Sequence, residues 1–271
     1  MDKGIHFISG MPRSGTTLLA AILNQNPHFH AGMSTPVAAM FGALQTTMSG
    51  KSEFHPFIDD DKRSHVLRGI FSSYYADIHA DKTVFDTNRS WTSKLPALAR
   101  IFEQARIVVC VRSIVAIIES IERIAQQNPL EPSRMFGYSA KGNIYSRADT
   151  LLSPEGLVGA AYNGLKEAFY GAHSDRIVVV PYESLVRDPE KTLRGIYAFL
   201  GLEYFPHDFD NLAYSADEFD RRLGVPGLHR IKPRVEAQER ERIVPPDLAY
   251  RYIESAFWER EGANPKRVRI L

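Results

Sequence analysis

The chain has 271 residues, 44% of them hydrophobic, with a formal net charge of +1 and a single cysteine. Such a length can bury one sizeable core, and one large domain fits it better than two. The balanced charge offers no global field for nucleic acid or an anionic membrane surface, and no apolar run approaches the ~20 residues of a membrane-spanning helix. Cys110 has no intrachain partner for a disulfide and reads as an inert core residue. The N-terminus runs straight into an apolar segment with no signal-peptide core, so the expectation is a soluble cytoplasmic protein without integral membrane contact.

In chain order, an apolar strand over 5–9 leads into Gly10-Met11-Pro12-Arg13-Ser14-Gly15-Thr16-Thr17, and a helix over 17–25 follows. A Gly-rich turn between strand and helix points several backbone N–H groups inward and adds the positive end of a helix dipole, which together hold a phosphate. The spacing of Gly10 and Gly15 matches a P-loop, but Thr16 stands where the P-loop lysine belongs. Ordinary nucleoside-triphosphate hydrolysis needs that lysine. What remains is a cradle for a smaller anionic group, with Arg13 supplying charge inside the loop.

Two helices, over 36–48 and 62–80, fit the long stretch before the second expected strand at 83–86. Asp86 ends that strand, and Arg89 follows three residues on. A helix over 91–102 precedes the apolar, β-branched run Ile107-Val108-Val109-Cys110-Val111, a buried strand. Arg112 stands at its carboxyl end, where open α/β sheets bind ligands. Ser113 can cap the next helix, over 114–126. Its residues Ile114, Ile117, Ile118 and Ile121 form a buried stripe with Ser120 at the border, so Arg112 and Ser120 can reach one anion together. Residues 128–153 read as a long surface loop. A helix over 156–173, a strand over 177–180 and a helix over 189–200 come next. Residues 203–246 are irregular, with basic clusters at Arg221-Arg222 and His229-Arg230-Ile231-Lys232, before a last helix over 247–261. The alternation predicts an α/β fold: a single P-loop-like domain over 1–271, its mostly parallel central sheet flanked by helices, with a helical insertion at 31–82.

Together these segments resemble the sulfotransferases that use 3′-phosphoadenosine 5′-phosphosulfate (PAPS). Pro12–Thr17 resembles the family's 5′-phosphosulfate loop, and Arg112 with Ser120 its 3′-phosphate site. Val178-Val179-Val180-Pro181-Tyr182-Glu183-Ser184-Leu185, followed by Asp188-Pro189, resembles its late strand, turn and helix. The branch most similar is a bacterial one resembling tyrosylprotein sulfotransferases. The resemblance implies PAPS as co-substrate with no metal required, and nucleotide contacts from Arg13, Ser14, Gly15, Thr16, Thr17, Arg112, Ser120 and Tyr182, the last near the adenine. It also implies a late basic segment that closes the 3′-phosphate site, without singling out its residues.

The implied reaction moves a sulfuryl group to an acceptor hydroxyl, on a small molecule or a peptide (tyrosine, sugar or lipid). Arg13 would neutralise the reacting sulfate. The glutamate that tyrosylprotein sulfotransferases carry after the first helix is absent, since Gly32-Met33-Ser34-Thr35 stands at that place. Asp86 is the expected replacement base, with Arg89 stabilising the leaving phosphate oxygen and His30, then His28, as the next bases. A small-molecule kinase with a degenerate P-loop and a non-catalytic nucleotide-binding module stay open as alternatives, as does a homodimer.

Overall fold

Stretches of β-branched and apolar residues form the strands of this chain, and helices with one apolar face cover them. The computed structural model describes residues 4–271 except 51, 79, 128–141, 223–228 and 238–240. The elements run β1 (Ile5–Gly10), α1 (Thr16–Leu23), β2 (Phe29–Ser34), α2 (Val37–Thr47), α3 (Asp60–Tyr74), β3 (Thr83–Thr87), α4 (Leu95–Ile101) and β4 (Ile107–Val111). There follow α5 (Ile114–Gln127), α6 (Ile144–Leu152), α7 (Gly159–Tyr170), β5 (Ile177–Pro181), α8 (Tyr182–Arg187), α9 (Pro189–Leu200), α10 (Asp217–Arg222), α11 (Pro246–Arg251) and β6 (Arg269–Ile270).

The six strands make one sheet, in the order β2-β3-β1-β4-β5-β6, and every pairing is parallel. Phe7 on the central strand faces Asp86 on one side and Ile107 on the other. The chain winds outward to β2 on one side of β1, then crosses to β4 on the other. The crevice of such a sheet opens at the carboxyl ends of the strands flanking that crossing.

Alternation along the strands feeds two cores. Phe7, Val109, Val111 and Val179 pack under α2–α7, while Ile8, Val108, Cys110, Val178 and Val180 pack under α1, α8 and α9. Local sequence sets the helix ends. Asp59 and Asp188 accept the backbone N–H of Lys62 and Lys191 at the starts of α3 and α9, and Gly201 takes the left-handed conformation (φ 71°) that ends α9. No helix among the described residues is long and apolar enough to cross a membrane.

Several elements differ from expectation, among them α10, within a stretch expected to be irregular, and β6, where no strand is expected. β2 lies within the stretch before Thr83 where only helices are expected; its sequence Phe-His-Ala-Gly-Met-Ser has little β-branching, and its place at the sheet edge comes from pairing with β3. Of the expected loop over 128–153, residues 128–141 lie outside the described residues, and the rest contains α6, started by the Asn143 side chain accepting from the Ser146 N–H. The expected helix over 247–261 is cut to α11 and a short 3-10 turn at Phe257–Glu259.

Burial pushes the Cys110 thiol up to about 12, so it stays protonated as part of the core. Burial, with Arg106 nearby, lowers His6 to about 4. The backbone N–H of Arg106 donates to His6 Nδ1 at 3.2 Å, which requires the lone pair of the neutral ring. The unfolded chain binds the proton first, near pH 6.5, so this site costs stability as pH falls from about 6.5 to about 4. The loss should reach about 3 kcal/mol by pH 4. Urea unfolding across this window should show a shallower pH dependence for His6→Asn than for the wild type.

Candidate active site

The turn between β1 and α1 is fixed by β4. Gly10 has φ 147°, and a Cβ there would stand 2.3 Å from the Cys110 carbonyl oxygen, so only glycine lets the two strands come this close. Ser14 is wholly buried, and its hydroxyl lies 2.6 Å from the Met11 carbonyl and 2.9 Å from that of Cys110. Ser14 thus locks the turn to the end of β4. Arg13 is held in the left-handed region (φ 62°), a strained conformation for a residue with a Cβ. At Gly15 (φ 95°) a Cβ would come within 2.9 Å of the Tyr182 ring. No side chain caps the first turn of α1, so its opening amides are left for a ligand.

The expected arginine and serine sites meet in space. Arg13 Nε donates to Ser120 Oγ at 3.0 Å across 107 residues of sequence. Arg112 Nη1 donates to the Arg13 carbonyl at 3.3 Å. Its guanidinium lies 4.2 Å from the Tyr182 ring centre, within cation–π range, and its Nε lies 3.9 Å from Glu183 Oε1. The Ser113 side chain accepts from the Ala116 N–H at the start of α5.

These groups line a cleft of about 760 Å³ at the carboxyl ends of the strands. Of the residues expected at the site, Arg13, Gly15, Thr16, Thr17, Arg89, Arg112, Ser120 and Tyr182 line it. Arg89 is exposed, and its guanidinium has no hydrogen bond or ion pair among the described residues. Thr87 also lines the cleft; its hydroxyl is buried and has no hydrogen-bond partner among the described residues. An unmatched buried hydroxyl is costly, and an anionic oxygen in the cleft would satisfy it. Glycines that keep the cradle open, unspent amides and an uncompensated arginine fit a phosphosulfate.

Asp86 and the histidines fall outside this cleft. Asp86 has 0% exposure. Its carboxylate accepts from the Tyr75 hydroxyl at 2.7 Å, the Thr35 hydroxyl at 2.8 Å and Trp91 Nε1 at 2.9 Å. Burial pushes the Asp86 carboxyl above its ordinary range, while these donors pull it down. In place of the expected base, the structure gives Asp86 a tie between β3, α3 and the turn after β2. Two strand neighbours explain the difference: Asp86 points into the core under α3, whereas Thr87 opens on the crevice. His28 is exposed and His30 packs its ring against Tyr75, and neither lines the cleft.

The opposite wall is one that sequence reasoning left unassigned: His229, Arg230, Ile231, Lys232, Arg234, Val235 and Glu236. Lys232 pairs with Glu236 at 2.6 Å, and Arg234 with Asp210 at 2.8 Å. Charge clustering marked this segment, but no periodicity tied it to the rest of the site. Gly227 and Leu228, next to it in the basic run, lie outside the described residues.

A family model described as the sulfotransferase family matches residues 6–206. Protein-tyrosine sulfotransferase 1 of Danio rerio is 26% identical over 209 residues, 75% of this chain and 54% of the relative. Protein-tyrosine sulfotransferase 2 of Gallus gallus is 25% identical over 204 residues, 73% of this chain and 51% of the relative. The chain therefore spans about half the length of the curated relatives it matches. Among solved structures, the sulfotransferase domain from the curacin biosynthetic pathway shares the fold, with a TM-score of 0.50, 19% identity and 75% of each chain covered.

The Ser14 hydroxyl, set between the Met11 carbonyl of the turn and the Cys110 carbonyl of β4, gives the turn a measurable anchor. Ser14→Ala removes the hydroxyl proton that the buried Met11 and Cys110 carbonyls share, each keeping one backbone donor, and should cost about 1 kcal/mol. Thr16→Ala, whose hydroxyl makes no hydrogen bond among the described residues, should change stability by no more than about 0.5 kcal/mol. Denaturant titration of both variants checks the contrast.

Proposed function

The chain belongs to the sulfotransferase family, and on that premise we propose that it moves a sulfuryl group from PAPS to an acceptor hydroxyl by in-line displacement. One observation carries the reading: Arg13 and the opening of α1, Arg112 with Ser120, and Tyr182 converge on a single cleft.

In this reading the turn amides, Thr16 and Thr17 bind the 5′-phosphosulfate, where the helix dipole and N–H groups favour an anion. Ser14 contributes by holding the turn. Arg112 and Ser120 take the 3′-phosphate, and Tyr182, already stacked on Arg112, lies beside the adenine. When bound, PAPS supplies the sulfuryl group and a leaving phosphate oxygen. Arg13 and Arg89 offset the charge that builds on these oxygens in a cleft partly shielded from water, where preorganised donors act most strongly. Lys232 and Arg230, on the facing wall, close over the nucleotide. The acceptor is a hydroxyl of a small molecule or a peptide. Thr150 and Ser153, which line the same cleft, contribute to its pocket.

Calorimetric titration with adenosine 3′,5′-bisphosphate, ATP and 5′-AMP, with and without Mg²⁺, tests the nucleotide site. The bisphosphate should bind without metal and about tenfold or more tighter than 5′-AMP, a difference of about 1.4 kcal/mol. Arg112→Ala should lose that preference while still unfolding in a single cooperative transition. A preference for Mg-ATP would replace sulfuryl transfer with phosphoryl transfer.

A further inference from the structure

Sulfuryl transfer needs a group to take the acceptor's proton, and Asp86 is sealed away from the cleft. The acid–base side chains that line the cleft include Glu155, Glu236, Tyr182 and His229. Glu155 is exposed, and no side chain orients it among the described residues. Glu236 is drawn to Lys232, and Tyr182 is stacked under Arg112. His229 differs from all of these. Asp220, only 1% exposed, accepts from the His229 backbone N–H through Oδ2 at 2.8 Å, and its Oδ1 lies 2.5 Å from His229 Nδ1.

A buried carboxylate gripping both the backbone and one ring nitrogen does two things. It fixes the ring's orientation, and it selects the tautomer with the proton on Nδ1, which makes Nε2 the basic nitrogen. It also stabilises the imidazolium formed when Nε2 takes a proton. The ring retains 18% exposure and lines the same cleft as the β1–α1 turn. Burying an aspartate for a surface loop alone would be an expensive way to hold one backbone N–H.

We propose that His229 is the general base of the transfer and Asp220 its positioning residue, an inference that rests on the sulfuryl-transfer reading above. The acceptor O–H proton passes to His229 Nε2 as the acceptor oxygen forms its bond to sulfur. The bond from sulfur to the bridging phosphate oxygen breaks, and its electron pair leaves on the 5′-phosphate of the bisphosphate product. Water in the acceptor position follows the same balance and yields sulfate.

The test combines a spectroscopic readout with turnover on a defined probe. In the full chain labelled with ¹⁵N-histidine, the His229 signal, assigned by its absence in His229→Gln, should show an unprotonated Nε2. Asp220→Asn should shift it towards the other tautomer. With PAPS and water as acceptor, cleavage should fall by about 10²-fold in His229→Gln and by a smaller factor in Asp220→Asn. Added imidazole should partly restore cleavage in His229→Ala. Affinity for adenosine 3′,5′-bisphosphate should stay within about threefold throughout, which also reports that the variants fold. Bisphosphate binding retained with cleavage unchanged in His229→Gln overturns the assignment alone. No bisphosphate binding by the wild type overturns the sulfuryl-transfer reading and this assignment with it.

Discussion

The close approach of Gly10 to the Cys110 carbonyl is the constraint on which the rest of the site depends. It lets the turn leave β1 at the level where β4 ends, and the Ser14 hydroxyl then ties it to the same carbonyl. Once the turn is fixed, Arg13 has one place to go. Its strained φ and its bond to Ser120 follow from that position. Strain of this kind persists only where surrounding contacts over-determine the backbone, and here the contacts come from β4, α5 and Arg112.

An apolar sheet carries a highly polar rim. Every residue of β1, β3, β4 and β5 is buried, so the strands act as rigid struts whose carboxyl ends open on the cleft. Each of those ends contributes to the rim: Ser34 from β2, Thr87 from β3, the turn from β1, Arg112 after β4 and Tyr182 after β5. Arg13, Arg89, Arg112, Arg230, Lys232 and Arg234 line the cleft against Glu155 and Glu236, a surplus of positive charge that favours a polyanionic ligand over a neutral one.

Asp86 shows how strand alternation decides what a carboxylate at a strand end touches. A carboxylate there has the right chemistry and the right height in the sheet. Strand alternation nevertheless turns it under α3, where Tyr75, Thr35 and Trp91 saturate it. Its value is architectural: it joins the edge of the sheet to the helical layer before α4. The proposed base and its positioning partner, His229 and Asp220, come instead from the basic segment after α10 and from α10 itself.

The β1–α1 turn, the strand and helix around Arg112 and Ser120, and the α/β alternation were legible in the sequence because each is a local pattern. Glycine spacing, β-branched runs and an apolar stripe act over a few consecutive residues, and backbone sterics turn them directly into structure. The edge strand β2 was not legible, since its weak sequence becomes a strand only by pairing with β3. Nor was the direction of Asp86, the direct bond between Arg13 and Ser120, or the approach of residues 229–236 to the far wall. Those depend on the order of strands in the sheet and on which side chain finds room at a shared crevice. Only the folded chain decides them, because contacts between residues far apart in sequence are set by packing, to which local propensity is blind.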